Sequence, residues 1–103
     1  MRTPFERFKK SLTQDNLWIY ILILLKKENL YPYEIKKKIN KIFGFKPSTM
    51  TIYLVINRLK FGGYITVEKT TKDRGPEKTY YKIIEKGKKE LEKARRFYKE
   101  LNF

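Results

Sequence analysis

The sequence predicts a mainly α-helical domain that carries one two-stranded β wing. Three observations lead there. Pro47-Ser48-Thr49-Met50-Thr51-Ile52-Tyr53 opens an apolar-spaced helix that runs through Leu59. Gly62-Gly63-Tyr64-Ile65 stops it, and two alternating segments follow, separated by Thr71-Lys72-Asp73-Arg74-Gly75-Pro76. The chain holds 25 Lys and Arg against 11 Asp and Glu, a net charge of +14. A capped helix, a glycine stop and a hairpin with a basic tip, in that order, read as a winged helix-turn-helix. A charge imbalance of this size costs stability through self-repulsion and favours a polyanionic partner. A highly charged thermophile surface is the plainer account of the charge. Such surfaces usually add Glu alongside Lys, and here the acids have not kept pace.

The 103 residues suffice for one domain with one modest core, and 41% hydrophobic content is ordinary for a folded chain. With no Cys and no His, the usual zinc sites and thiol or histidine catalysis are excluded. No acidic pair marks a pocket, so neither an enzyme nor a cofactor nor a metal is expected. The N-terminus lacks an apolar run with a small-residue cleavage site, so no signal peptide is expected. The longest apolar run, residues 17–25, would span roughly 14 Å as a helix, against about 30 Å of bilayer hydrocarbon. It predicts a buried helix and no membrane partner. A cytoplasmic place, on the nucleoid of a bacterium or archaeon, is the matching expectation.

Thr3-Pro4-Phe5-Glu6 resembles a capping box with Pro at the first helical position. Phe5, Phe8 and Leu12 then share one face of a short helix that is marginal alone. That face needs the core or a second subunit. Asp15 is the expected cap of the next helix, which runs to about Lys27 and is apolar all round. Part of it, with Trp18 and Tyr20, is open to two readings: simple core aromatics or a subunit interface. Tyr31-Pro32 opens a third helix, with Ile35, Ile39 and Ile42 lining one face and Lys36, Lys37, Lys38 and Lys41 on the rest. Phe43-Gly44 ends it.

Ser48 is the expected N-cap of the fourth helix, whose inner stripe is Ile52, Val55, Ile56 and Leu59. In the hairpin, Ile65 and Val67 face inward from one strand and Tyr81 and Ile83 from the other. Asp73-Arg74-Gly75-Pro76 is turn chemistry, ringed by Lys69, Lys72, Arg74 and Lys78. A last helix is expected from about Glu85 to Leu101. Leu91 and Tyr98 repeat at seven residues, as do Ala94 and Leu101, and Phe97 widens the stripe. Under three heptads is too short for a free-standing coiled coil, so the stripe suits docking on a partner helix or on its own domain. The expected organisation is an N-terminal helix over residues 1–14, the winged domain over 15–83 and a dimerisation helix over 84–103.

Several of these segments together resemble the PadR-like transcriptional regulators. They are Tyr33-Glu34-Ile35, Lys46-Pro47-Ser48, Thr51-Ile52-Tyr53, Leu59 through Gly63-Tyr64-Ile65, Gly75-Pro76 through Tyr80-Tyr81, and Glu85-Lys86-Gly87 with Leu91. Each is weak alone; their order and spacing make the match specific over about residues 17–95. The resemblance implies a winged-helix DNA-binding domain, a C-terminal dimerisation helix and, usually, repression at pseudo-palindromic operators. Three positions depart from the pattern. Met50 stands where the family usually has Gly, Leu54 where it has Pro, and Ile84 where a Thr commonly caps the last helix. The chain also ends early for the family, and the N-terminal helix around Phe5 and Phe8 is placed to compensate.

On this reading double-stranded DNA is the partner. Lys36, Lys37 and Lys46 are placed for phosphates, and Ser48, Thr49, Thr51 and Tyr53 for phosphates or base edges. Asn57 suits adenine and Arg58 guanine, since each can pair bidentately in the major groove. Lys72, Arg74 and Lys78 would lie along the backbone or in the minor groove. Outward Met50 or Leu54 could meet a thymine methyl or pack on the third helix or the wing. Phe5, Phe8, Trp18, Leu91, Ala94, Tyr98 and Leu101 are the expected homodimer contacts. Some family members sense small aromatic molecules at the dimer interface, and Trp18 gives only slight support for such an effector here. Two other classes stay open: a non-specific architectural nucleic-acid binder and a winged-helix protein-interaction module.

Overall fold

Thr3 starts the first helix, α1 (Pro4–Leu12). Its hydroxyl accepts the Glu6 N–H at 3.1 Å, and Pro4 fills a first-turn position that needs no N–H donor. Glu6 Oε1 accepts from the Thr3 hydroxyl at 3.2 Å rather than reaching back to the backbone. The computed structural model describes residues 2–72 and 74–102. Asp73, expected in the wing turn, lies outside the described residues.

A 3-10 turn (Gln14–Asn16) leads into α2 (Leu17–Lys27). It corrects the expected cap. The extra tight turn puts Asn16 at the N-cap position and Asp15 one residue too early. Asp15 instead lies 3.7 Å from Lys10, and Asn16 Oδ1 accepts the Trp18 indole N–H at 3.3 Å. The Tyr20 hydroxyl donates to the Leu12 carbonyl and ties α2 back to α1.

Pro32 opens α3 (Pro32–Lys38), and the Glu34 carboxylate accepts the Tyr31 N–H at 3.3 Å. The helix then widens into a π-helical stretch (Ile39–Phe43), which Gly44 closes at φ +79°, a left-handed conformation suited to glycine. Widening lowers the rotation per residue. Ile35 and Ile39 are buried as expected, but Ile42 falls short of the core face and stays 54% exposed. Phe43 turns inward in its place, its ring centroid 4.7 Å from that of Tyr20.

Ser48 caps α4 (Thr49–Phe61), accepting the Thr51 N–H at 3.1 Å. Ile52, Ile56 and Leu59 are buried, and Val55 is half-buried beside them. After the turn, β1 (Ile65–Thr71) pairs antiparallel with β2 (Lys78–Ile83), with Ile65 opposite Ile83 and Val67 opposite Tyr81. A bulge between Val67 and Lys69 breaks the register and twists the hairpin. Ile65 and Tyr81 are buried, whereas Val67, expected inward, is 41% exposed. Only the root of the hairpin lies over the core. That root is pinned by Leu30, which donates to the Tyr81 carbonyl at 3.3 Å and accepts its N–H at 2.8 Å.

The core centres on α2. Leu17, Ile21, Leu22, Leu24 and Leu25 meet α3, α4 and β2, and the same helix packs on α5 (Glu85–Leu101). Each fully buried Leu or Ile side chain contributes roughly 1.5–3 kcal/mol. Gly87 lets α5 approach the hairpin: a Cβ there would sit 2.2 Å from the Tyr64 carbonyl oxygen. One residue earlier, Lys86 Nζ donates to the Gly62 carbonyl at 2.6 Å and lies 4.6 Å from the centroid of the Tyr64 ring. The first turn of α5 is thereby seated on the end of α4. The radius of gyration, 14.7 Å, exceeds the ~13 Å usual for this length, because α1 and the end of α5 project from the core. Among the described residues no helix is long and apolar enough to cross a membrane.

Candidate nucleic-acid interface

From residue 35 to residue 67 the chain contains no acid, yet holds Lys36, Lys37, Lys38, Lys41, Lys46, Arg58 and Lys60. The fold gathers much of this stretch at the junction of α3 and α4. A cleft of about 460 Å³ opens there between Tyr33, Lys36, Lys37, Asn40, Lys46, Ser48 and Thr49. Lys36 Nζ donates to Thr49 Oγ1 at 2.8 Å and ties α3 to the first turn of α4. Ser48 Oγ and Thr51 Oγ1 lie 2.8 Å apart. These three hydroxyls are therefore partly engaged within the protein, each keeping capacity for a further hydrogen bond. The start of α4 also carries the positive end of a helix dipole.

The outer face of α4 holds Met50, Tyr53, Leu54 and Asn57, all exposed. Burial pushes the Tyr81 phenol up, and nearby Tyr53 adds to the shift. Arg58 sits on a flank. It walls a cavity of about 340 Å³ together with Asp15, Trp18, Val55, Tyr64 and Glu90. The structure thus separates Arg58 from Asn57 by about a quarter turn of helix.

On the wing, Lys72 and Arg74 are exposed, and Gly75 turns the chain at φ +83°. Lys78 Nζ lies 5.1 Å from the Tyr31 ring centroid and Lys69 Nζ 5.0 Å from that of Tyr80. Tyr31 and Tyr80 meet edge-on at 5.2 Å, so these cations stand on aromatic rings between α3 and the wing.

The residues expected at a dimer contact fall into three groups. Phe5 and Phe8 on α1, and Tyr98 and Leu101 on α5, are exposed. Leu91 and Ala94 are half-buried and line a groove of about 700 Å³ between α2 and α5, with Ile19, Tyr20 and Ile23 opposite. Trp18 faces the other way, into the cavity beside Arg58. Burial raises the Tyr20 phenol, with Tyr98 adding to the shift across the groove. Ile19 and Ile23 were not singled out from the sequence. The signal for them was there, since a helix apolar all round must offer one side to something besides its own core. Tyr33 and Asn40 were likewise missed as walls of the basic cleft. Their signal was proximity to the lysines at helical spacing.

The family model for the transcriptional regulator PadR-like family matches residues 21–93. Among solved structures, a PadR-like transcription factor from Bacteroides fragilis is 28% identical, with a TM-score of 0.78, over 93% of this chain and 92% of that one. A PadR-like transcriptional regulator from Bacillus cereus is 28% identical, with a TM-score of 0.73, over 90% and 88%. Bacillus subtilis PadR, solved in complex with operator DNA, is 31% identical, with a TM-score of 0.69, over 76% of this chain and 46% of that one. Among curated proteins none matches. With a family match across most of its length, on a helical domain carrying a two-stranded wing, the chain belongs to the PadR-like family of transcriptional regulators.

Proposed function

We propose that this protein is a sequence-specific regulator, a repressor, that binds double-stranded DNA as a homodimer. In this reading α4 enters the major groove. Lys36, Lys37, Lys46, Ser48, Thr49 and Thr51 hold phosphates around its start, and Tyr53, Asn57 and Arg58 reach base edges or the adjoining backbone. Lys72, Arg74 and Lys78 lie along the backbone or in the minor groove. Residues 15–83 act as the DNA-binding unit. The N-terminal helix (residues 1–14) and the C-terminal helix (84–103) form the dimer contact through Phe5, Phe8, Leu91, Ala94, Tyr98 and Leu101, and Trp18, turned to the cavity beside Arg58, drops out of it. The observation that carries the reading is the acid-free stretch from residue 35 to residue 67, whose helix α4 leaves Met50, Tyr53, Leu54 and Asn57 exposed. The operator complex of the related Bacillus subtilis PadR supports the choice of partner.

Non-specific architectural binding is the second reading, and the net charge of +14 favours it. Fluorescence anisotropy on the protein's own upstream DNA and on a shuffled duplex, at low and physiological salt, separates the two. A gap of about a thousandfold at physiological salt supports a specific regulator. Equal affinities that both collapse with salt mean that charge does nearly all the binding, and the architectural reading replaces the first. A dimer touching about eight phosphates gives log K against log salt a slope near −7.

A further inference from the structure

Met50 is 81% exposed and Leu54 47% exposed, on the same face of α4. At about 100° per residue, Met50, Leu54 and Asn57 fall within roughly 60° of one another. They stand opposite the buried Ile52, Ile56 and Leu59. The middle of the exposed face is therefore an apolar pair followed by an amide, where a solvated helix would carry charge. Single exposed apolar residues need no explanation; an apolar centre on the outward helix of a cationic surface does.

We infer that Met50 and Leu54 read thymine 5-methyl groups in the major groove. This rests on the proposed DNA-binding reading and names the base feature it recognises. Four residues of helix advance about 6 Å, close to two base-pair steps of ~3.4 Å. Each half-site then presents two thymine methyls about two steps apart. Asn57, one turn further along the same stripe, suits the N6 and N7 of an adenine, which makes the half-site rich in A·T pairs. Phe61 shares the face and is 94% exposed, but it lies about 16 Å from Met50 along the helix and takes no part. Charge selects DNA over an apolar protein partner: every charged side chain from residue 35 to residue 67 is a cation.

The test starts from the unmodified protein and a pool of random duplexes, from which the enriched site is taken. Each thymine is replaced singly by deoxyuridine, which removes only the methyl, and the Kd is measured by anisotropy. Two positions per half-site should each lose about threefold to fivefold in affinity. Leu54→Ala should abolish the thymine preference at one of them and keep it at the other, and Met50→Ala should do the reverse. Both side chains are exposed, so neither change disturbs the core. Specific binding with no thymine–uracil difference at any position overturns the inference and leaves the stripe free for a protein partner. A loss in the variants that is equal on thymine and uracil duplexes also overturns it. Failure to enrich any sequence overturns sequence-specific DNA binding itself, so the two failures are distinguishable.

Discussion

The apolar residues of α1 line one face and those of α2 go all round, and the two sets meet opposite fates. Ile21 and Leu22 are wholly buried, surrounded by α3, α4 and the hairpin. Phe5 on α1 is 68% exposed, and no residue of that helix is buried. Spacing tells which face of a helix must be covered. It does not tell which chain does the covering. The contrast divides the molecule into a body that covers most of its own apolar surface, the α2–α5 groove apart, and two projecting ends, α1 and the second half of α5, that do not.

Four changes test that division, the largest first. Ile21→Ala opens a cavity at the centre of the body and should cost about 2–5 kcal/mol of stability. The loss, read by urea unfolding, should be nearly the same at every protein concentration. Gly87→Ala drives a methyl into the Tyr64 carbonyl and should cost about 1–3 kcal/mol by the same measurement. An unchanged midpoint would mean that α5 can lift away from the hairpin root. The double change Phe5→Glu and Phe8→Glu should leave the unfolding of dilute protein almost untouched. It should weaken self-association about tenfold or more in sedimentation equilibrium, because two charges would enter an apolar contact. Equal association of variant and unmodified protein would remove α1 from the interface. Arg74→Ala, at the wing tip, should be the mildest. It should weaken binding to every DNA sequence alike and lower the salt slope by about 1 for each wing. Identical slopes would detach the wing from the backbone.

Much of the body was legible because its signals are local. Ser48 capped α4, Gly44 stopped the helix before it, and the hairpin strands fell where alternation put them. The misses share a physical cause: each depends on geometry that no short window of sequence contains. A 3-10 turn displaced Asp15 from the cap, and the π-helical stretch rotated Ile42 out and Phe43 in. Val67 had the right parity to face inward, but the hairpin outruns the body beneath it. The same limit applied at the candidate interface. The lysines and the outward residues of α4 could be read from spacing. That Arg58 shares a cavity with Trp18, away from Asn57, follows only from how α2 and α5 pack beside α4.

The seating of α5 on the end of α4 makes that helix a lever. Lys86 and Gly87 fix its short end on the turn that follows α4. The remaining length, about 20 Å, reaches toward the exposed tip. A tilt of about 10° at the seat would swing that tip by roughly 3.5 Å, close to one base-pair step. Two copies joined near their tips would therefore hold their α4 helices at a separation set by how firmly α5 is seated on the turn after α4 and along α2. In the proposed dimer, loosening the seat would blur the spacing between half-sites while every side chain proposed to touch DNA stayed intact.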